Sequence, residues 1–226
     1  MLEIFGLSID VLLKLILIDI VLSGDNAVVI AMAARNVPKE QQKKAIFWGT
    51  FGAIALRIIF AAAIIFLLKI PYLTAVGGVL LVIIAIKLLT GEDENHKEGG
   101  STVASAVKTI IFADAVMSFD NVVALAGIAH GSLFAIIIGV LVSIPIIVFG
   151  SQLILKAMEK FPIIIYFGAG LLAWTAGEMI VSDPKLHHYT ADYHLIIPIV
   201  LTVASIVIGY LLSRKKKKAD VYAEAS

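Results

Sequence analysis

Residues 19–31 read Asp19-Ile-Val-Leu-Ser23-Gly-Asp25-Asn26-Ala-Val-Val-Ile-Ala31, and residues 114–126 read Asp114-Ala-Val-Met-Ser118-Phe-Asp120-Asn121-Val-Val-Ala-Leu-Ala126. The two segments match at seven of thirteen positions at a fixed offset of 95, and the matches include all four polar positions. Each segment lies in a stretch apolar enough to cross a bilayer. Because a carboxylate is costly in that environment, these aspartates predict a functional site inside a membrane.

The composition assigns the chain to the membrane proteins. Of the 226 residues, 60% are hydrophobic and only 15% are charged, and the mean hydropathy is +1.01. A soluble domain of this length needs more polar surface. The chain has no cysteine, which excludes disulfides, thiolate metal sites and thiol redox chemistry. Its N-terminus lacks the basic region of a cleaved signal peptide, so we expect the first apolar run to persist as a spanning helix.

A membrane-spanning helix needs about 20 apolar residues, and this rule predicts an all-α membrane protein with seven spans. The predicted spans are 8–33, 45–69, 71–90, 103–128, 131–155, 161–181 and 194–213.

The basic residues predict the orientation of these spans. Lys and Arg cluster in the loops after spans one, three and five and in the C-terminal tail, whereas the opposite side carries only Lys69 and Lys185. The positive-inside rule therefore places the N-terminus outside and the C-terminus in the cytoplasm.

The chain divides into two halves of three spans that enter the membrane from opposite sides. The repeat extends weakly beyond the motif, because Pro71, Gly77 and Ala85 match Pro162, Gly168 and Ala176 at an offset of 91. Inverted repeats of this kind place the substrate site of many transporters near the midplane. The predicted division is a first repeat (1–90), a polar cytoplasmic linker (91–102), an inverted second repeat (103–182), an outer loop with the seventh helix (183–213) and a basic tail (214–226).

Helical spacing sets Asp19, Ser23 and Asn26 on one face of the first span, and Asp114, Ser118 and Asn121 on one face of the fourth. Asp25 and Asp120 point elsewhere on an unbroken helix. Gly24 predicts a local unwinding that turns Asp25 toward the polar face, whereas Phe119 replaces this glycine in the second copy.

These two polar faces predict a cation site made only of oxygen ligands. Such a set suits Mn²⁺, Mg²⁺ or Ca²⁺ better than Cu⁺ or Zn²⁺, and the ligand type leaves the choice among the first three open. Several acids in one buried site must be protonated or paired when the ion is absent, which makes proton exchange a natural coupling. The predicted metal ligands are Asp19, Asp25, Asn26, Asp114, Asp120 and Asn121.

Four further residues are auxiliary candidates. Arg57, about midway along the second span, is expected to pair with one of the aspartates as a counter-charge. Ser23 and Ser118 suit either ligation or plain hydrogen bonding between helices. Glu178 lies near a span end, where an interfacial role competes with contact to the ion path.

The doubled pattern Asp-x-Val-x-Ser-x-Asp-Asn in a seven-span chain resembles the TerC family of integral membrane proteins. The resemblance covers essentially the whole chain, including the acidic linker and the basic tail. It implies metal-ion efflux, with Mn²⁺ as the favoured ion, and it carries the family's motif acids onto Asp19, Asp25, Asp114 and Asp120. Many relatives have Glu at the place of Asp19, which preserves the acidic character but leaves the coordination geometry open.

The sequence pattern brings three other functions into question. An intramembrane aspartyl protease also uses two aspartates on neighbouring spans, but this chain has four acids in two matched sets and lacks the Gly-x-Gly-Asp and Pro-Ala-Leu elements. An exporter of another cation or small solute stays open, and the short loops do not favour an assembly factor. The expectation is a transporter rather than an enzyme, in the plasma membrane, with no prosthetic group and no nucleic-acid partner. The sequence leaves the oligomeric state open.

Overall fold

The computed structural model describes residues 3–4, 7–67, 69–91, 102–129 and 132–224, with side chains from residue 12 to residue 214 except at 65, 120 and 126 within these ranges. Its core is all-helical, as the hydropathy predicted. A short antiparallel pairing of β1 (Glu3–Ile4) with β2 (Leu7–Ser8) precedes the helices. The helices are α1 (Ile9–Leu22), α2 (Gly24–Ala34), α3 (Lys39–Leu67), α4 (Leu73–Thr90), α5 (Val103–Ile128), α6 (Leu133–Lys160), α7 (Ile163–Ser182), α8 (His187–Thr190) and α9 (Ile196–Glu224), with a 3₁₀ turn at Ala191–Tyr193 before α9.

Within the described residues, five helices are long and apolar enough to cross a membrane: α3, α4, α6, α7 and α9. The bent pair of α1 and α2 makes a sixth when it is counted as one span. The fourth predicted span coincides with α5, which is 26 residues long but carries Lys108 and Asp114. The chain is therefore a multi-pass membrane protein, and the seven-span inverted repeat is consistent with this arrangement. The predicted linker falls almost entirely outside the described residues.

The first span is broken at Ser23, next to the glycine that the sequence pointed to. Ser23 has φ −99° and ψ 4°, α2 begins at Gly24, and the axes of α1 and α2 differ by 42°. In the second copy, α5 runs unbroken through Phe119. The structure therefore agrees with the expected asymmetry between the two motif copies, since Gly24 permits the break and Phe119 favours a continuous helix.

The helix neighbours follow the pattern expected of two related halves. α3 of the first half packs along α5 of the second, and α6 of the second half packs correspondingly along α1 and α2 of the first. The pair α4 and α7, which match each other in the repeat, pack together, and α9 lies against both. The motif-bearing helices α1, α2 and α5 thus contact helices from both halves.

Small residues bring α4 and α7 close together, and charged side chains hold both ends of α4. A Cβ atom on Gly78 would lie 2.5 Å from the carbonyl oxygen of Ala176, so the two backbones approach too closely for a side chain there.

The buried carboxylate of Asp183, at the end of α7, accepts a hydrogen bond from the backbone N–H of Ala75 at 3.1 Å. Arg35 donates from Nη2 to the carbonyl of Leu88 at 2.9 Å. A negative charge at the start of a helix and a positive charge at its end both stabilise it.

Candidate functional site

The guanidinium of Arg57 lies at the centre of a buried polar network that joins both motif copies. Nη1 donates to Asp19 Oδ1 at 3.1 Å and to Ser23 Oγ at 3.0 Å. Nη2 donates to Asp114 Oδ1 at 2.8 Å, and Nε donates to Ser118 Oγ at 3.1 Å. Arg57 is only 2% exposed, so these contacts are shielded from solvent. The sequence predicted a pairing with one aspartate, and the structure places the arginine between two.

The planar fork of arginine explains why it reaches two carboxylates at once. α3 carries Arg57 to this point because it packs along α5, which holds Asp114 and Ser118. The repeat predicted that Asp19 and Asp114 approach each other, and their shared contact with one guanidinium brings them together.

Ser143 on α6 belongs to this network, although the sequence pattern did not predict it as a site residue. Its hydroxyl is fully buried and donates to Asp19 Oδ2 in a short hydrogen bond. In the same way, Ser118 donates to Asp114 Oδ2 at 2.7 Å. Ser143 lies outside the repeated motif, and its only sequence signal is a hydroxyl within an otherwise apolar span. Each of the four carboxylate oxygens of Asp19 and Asp114 therefore accepts a hydrogen bond.

The break in the first span leaves two backbone groups that motif side chains satisfy. In an unbroken helix the carbonyl of Leu22 accepts from the backbone N–H of Asn26. Here that N–H donates to Asp25 Oδ1 at 2.8 Å, and Nδ2 of Asn121 donates to the Leu22 carbonyl at 3.2 Å. Asp25 of the first copy therefore stabilises the break from its own span, whereas Asn121 of the second copy reaches across to it.

Asn26 is the site residue whose side chain is left without a partner. It is only 3% exposed, yet neither its Oδ1 nor its Nδ2 makes a hydrogen bond within the structure. It lines a small pocket together with Val29, Ile30, Ile110 and Asp114. An unpaired buried amide is costly, and this pocket is too narrow to admit a water molecule, so the Asn26 side chain stays unpaired unless the surrounding helices open.

The remaining candidates lie less centrally. The side chain of Asp25 is partly buried at the start of α2, and that of Asp120 lies outside the described residues. Glu178 is exposed on α7 and takes no part in the network among the contacts described. Among the described side chains, no three of His, Cys, Asp and Glu come close enough together to hold a metal ion. The ligation of an ion by all four motif acids therefore stays a prediction.

The arrangement is suited chemically to holding positive charge. Two carboxylates, three serine hydroxyls and an unpaired amide are gathered between helices of both halves. The described residues put one positive side chain, Arg57, against this set of oxygens. Such oxygen-rich surroundings favour a hard cation over an anion or a soft metal.

Comparison with known proteins supports one family. The model of the "Integral membrane protein TerC family" matches residues 7–218. The chain is similar to an uncharacterized membrane protein of Bacillus subtilis, YjbE, with 44% identity covering 92% of this chain and 96% of the relative. A second B. subtilis membrane protein, YkoY, is 27% identical over 93% of this chain and 74% of its own length. The UPF0053 inner membrane protein YgdQ of Escherichia coli K12 is 23% identical, covering 76% of this chain and 81% of that protein. No solved structure gives a significant match. With the family model covering nearly the whole chain, the protein belongs to the TerC family of integral membrane proteins.

Proposed function

We propose that this protein is a plasma-membrane transporter that exports a divalent metal cation, with Mn²⁺ as the favoured ion. The observation that carries the proposal is the convergence of Asp19 and Asp114, one from each half, beside the unpaired amide of Asn26. Buried acids at the interface of two repeats are costly for stability and are typical of ion paths. Asn121, of the second Asp-Asn pair, brings a further amide oxygen close to the same helix break.

The transport mechanism that fits this arrangement is alternating access of the two halves around the buried site. Because the halves are inverted, exchange of their conformations opens the site first to one side and then to the other. Protons are the natural counter-ion, since the acids that release the metal become partly protonated. The preference for Mn²⁺ and the export direction rest on the family resemblance, because ligand type alone suits Mg²⁺ and Ca²⁺ as well.

Two rivals are less well supported. An aspartyl protease needs two carboxylates that share a proton over a water molecule, whereas Asp19 and Asp114 share Arg57. An exporter of anionic or zwitterionic solutes needs a free positive charge in its site, and both sides of the Arg57 guanidinium are already engaged. Another cation remains the main alternative cargo.

The test is the metal content of cells grown with excess MnCl₂. We expect cells expressing the wild-type protein to retain less Mn than cells with Asp25→Asn or Asp120→Asn, because each variant removes a ligand charge with little change of shape. Asp192→Asn is the matched control, since Asp192 is exposed in the 3₁₀ turn before α9. If both site variants lower cellular Mn as well as the wild type does, these acids do not form the transport site.

The same cultures also test the cargo. Mg and Ca are measured beside Mn in each sample. A wild-type protein that changes Mg or Ca and leaves Mn unchanged contradicts the assignment of the ion. Purified protein in vesicles loaded with MnCl₂, without any other protein, distinguishes transport by this chain from an indirect effect on the cell.

A further inference from the structure

We propose that the Arg57 guanidinium is a built-in competitor of the transported cation: it occupies the place between Asp19 and Asp114 in the ion-free protein and must leave when a divalent ion binds there. This inference rests on the proposed function and adds a step to it. The acids of the two motif copies then bind the Arg57 guanidinium and the transported ion in turn.

Arg57 holds two of the six residues predicted to ligate the ion, and both of the auxiliary serines. All four of its acceptors, Asp19, Ser23, Asp114 and Ser118, belong to the repeated motif. They come from both halves and offer only oxygen atoms. A guanidinium and a hard metal ion both seek such oxygens, so the same set of residues recognises either one.

The hydrogen-bond network around Asp19 and Asp114 is complete while Arg57 lies between them. Asp19 accepts from Arg57 and Ser143, and Asp114 accepts from Arg57 and Ser118, so no carboxylate oxygen of either residue lacks a hydrogen bond. A divalent ion requires about six oxygen ligands at about 2.0 to 2.6 Å. With Arg57 in place, Asn26 is the motif residue with a fully unpaired buried side chain among those described. One amide does not complete a coordination sphere, and Asp19 and Asp114 can join it without a competing cation only when Arg57 releases them.

Electrostatic repulsion between the ion and the guanidinium also favours the departure of Arg57. An ion that coordinates Asp114 meets a carboxylate whose Oδ1 already holds Nη2 of Arg57 at 2.8 Å. Two positive charges on one carboxylate repel each other strongly where little water screens them. Departure of the guanidinium removes this repulsion. Its return neutralises part of the acid charge when the ion leaves, since buried charges without partners are unfavourable.

The competitor is contributed by one half alone. Leu15 and Ile110 correspond at the offset of 95, and each lies against a glycine, Gly139 for Leu15 and Gly49 for Ile110. If these glycines correspond, the offset between α3 and α6 is 90, which sets Ile147 at the place equivalent to Arg57. The guanidinium therefore has no symmetric copy with which to share the acids, and a single displacement frees both of them.

The experiment measures the dissociation constant of Mn²⁺ for the full-length protein in detergent by calorimetry, with MnCl₂ as the probe. Ser118→Ala removes the acceptor of Nε and the donor to Asp114 Oδ2 while it keeps both acids, so the guanidinium is held less firmly and one oxygen of Asp114 is freed for the ion. We expect this variant to bind Mn²⁺ about tenfold more tightly than the wild type, which is the effect of one charge-assisted hydrogen bond. Arg57→Lys also binds more tightly, because an ammonium does not bridge two carboxylates as a planar fork does.

Ser205→Ala is the matched control. Ser205 is a buried serine of α9 whose hydroxyl has no partner in the structure, and its loss leaves Mn²⁺ affinity unchanged. If Ser118→Ala and Arg57→Lys bind Mn²⁺ with the wild-type affinity or more weakly, the competition is refuted while the proposed function stands. If neither the wild type nor any variant binds Mn²⁺, both ideas fall.

A second measurement tests the competition directly. In Arg57→Ala, free ethylguanidinium takes the place of the lost side chain, so we expect it to raise the apparent dissociation constant of Mn²⁺ in proportion to its concentration. Ethylurea, which is similar in shape but neutral, has no such effect, and wild-type protein is insensitive to both compounds. Mn²⁺ binding to this variant that ethylguanidinium leaves unchanged overturns the inference. Should Arg57→Ala fail to fold, the Ser118→Ala result decides alone.

Discussion

At the residue scale, the two copies of the motif carry the same side chains but use them differently. Asp19 is held by Arg57 and by Ser143 from another helix, whereas Asp114 is held by Arg57 and by Ser118 from its own helix. Identical residue types therefore differ in how many helices they tie together. Asp19 connects α1 with α3 and α6, which makes its environment the more dependent on tertiary packing.

Ser143→Ala tests the role of the serine that lies outside the motif. Loss of its hydroxyl leaves a buried oxygen of Asp19 without a donor, which we expect to lower the free energy of unfolding by about 1 to 3 kcal/mol. Denaturant unfolding in a mild detergent measures the change. Ser205→Ala removes a buried hydroxyl that has no partner, so it should alter stability far less. Equal effects of the two substitutions would mean that the contact with Asp19 contributes nothing specific.

At the element scale, the main feature is a helix that breaks in one copy and continues in the other. The break at Ser23 exposes the Leu22 carbonyl to Asn121, so the broken span of one half is tied to the unbroken span of the other. A broken helix is tolerated in a membrane where its free backbone groups find partners, and often lines a binding site. We infer that α2 is the element best suited to move with the ion.

Gly24→Ala tests whether the break is needed. A Cβ atom at Gly24 meets nothing within 4 Å, so the methyl group fits. Alanine favours a continuous helix over glycine by about 1 kcal/mol, and we therefore expect slower Mn²⁺ efflux from loaded vesicles with stability unchanged or slightly raised. Gly127→Ala is the matched control, because a Cβ at Gly127 also meets nothing within 4 Å but lies in unbroken α5. Equal transport by the two variants would contradict a role for the break.

Substitution of Asp183 tests the contact that connects α7 with the start of α4. Its carboxylate caps the start of α4 from the end of α7, where Tyr72, the residue before the helix, provides no side-chain cap. We expect Asp183→Ala to destabilise the protein by about 1 to 2 kcal/mol, and Asp183→Asn, which retains an acceptor, to cost less. Thermal unfolding in detergent ranks the two variants. A loss no greater than that of Asp192→Ala, at an exposed position, would refute the capping role.

At the scale of the whole molecule, the packing of the helices follows the internal repeat, whereas the position of the buried positive charge does not. The packing of α3 against α5 corresponds to the packing of α6 against α1 and α2 in the other half. Arg57 belongs to the first half alone, yet it forms ion pairs with acids of both halves. The TerC family model covers residues 7–218 and so includes both halves. If the two halves exchange conformations as the proposed alternating access requires, this unmatched charge gives the two states different energies.

The predicted orientation can be measured because the chain contains no cysteine. A single cysteine at Lys185, in the loop after α7, should react with a membrane-impermeant maleimide in intact cells. A single cysteine at Lys44, at the start of α3, should react only after the membrane is permeabilised. Both positions are exposed, so accessibility of the side chain does not limit either reaction. The reverse pattern of labelling would invert the predicted topology and the direction of the transport scheme.

Much of the architecture follows from the sequence because hydropathy and helical periodicity are local properties. The fourth predicted span, 103–128, coincides with α5, and Gly24 marked the position of the break within one residue. The larger differences are at ends where charged residues continue a helix past the apolar run. α3 starts at Lys39, α6 ends at Lys160 and α9 continues to Glu224, beyond the predicted limits of 45, 155 and 213.

The sequence by itself determined that this chain lies in a membrane, that its motif is doubled and that its buried acids need a positive partner, because composition, repetition and the cost of buried charge are readable one residue at a time. Only the tertiary structure decided which partner each acid has. Arg57 bridges Asp19 and Asp114, Ser143 joins from α6, and Asn26 is left unpaired, because residues far apart in the chain meet only when the helices pack.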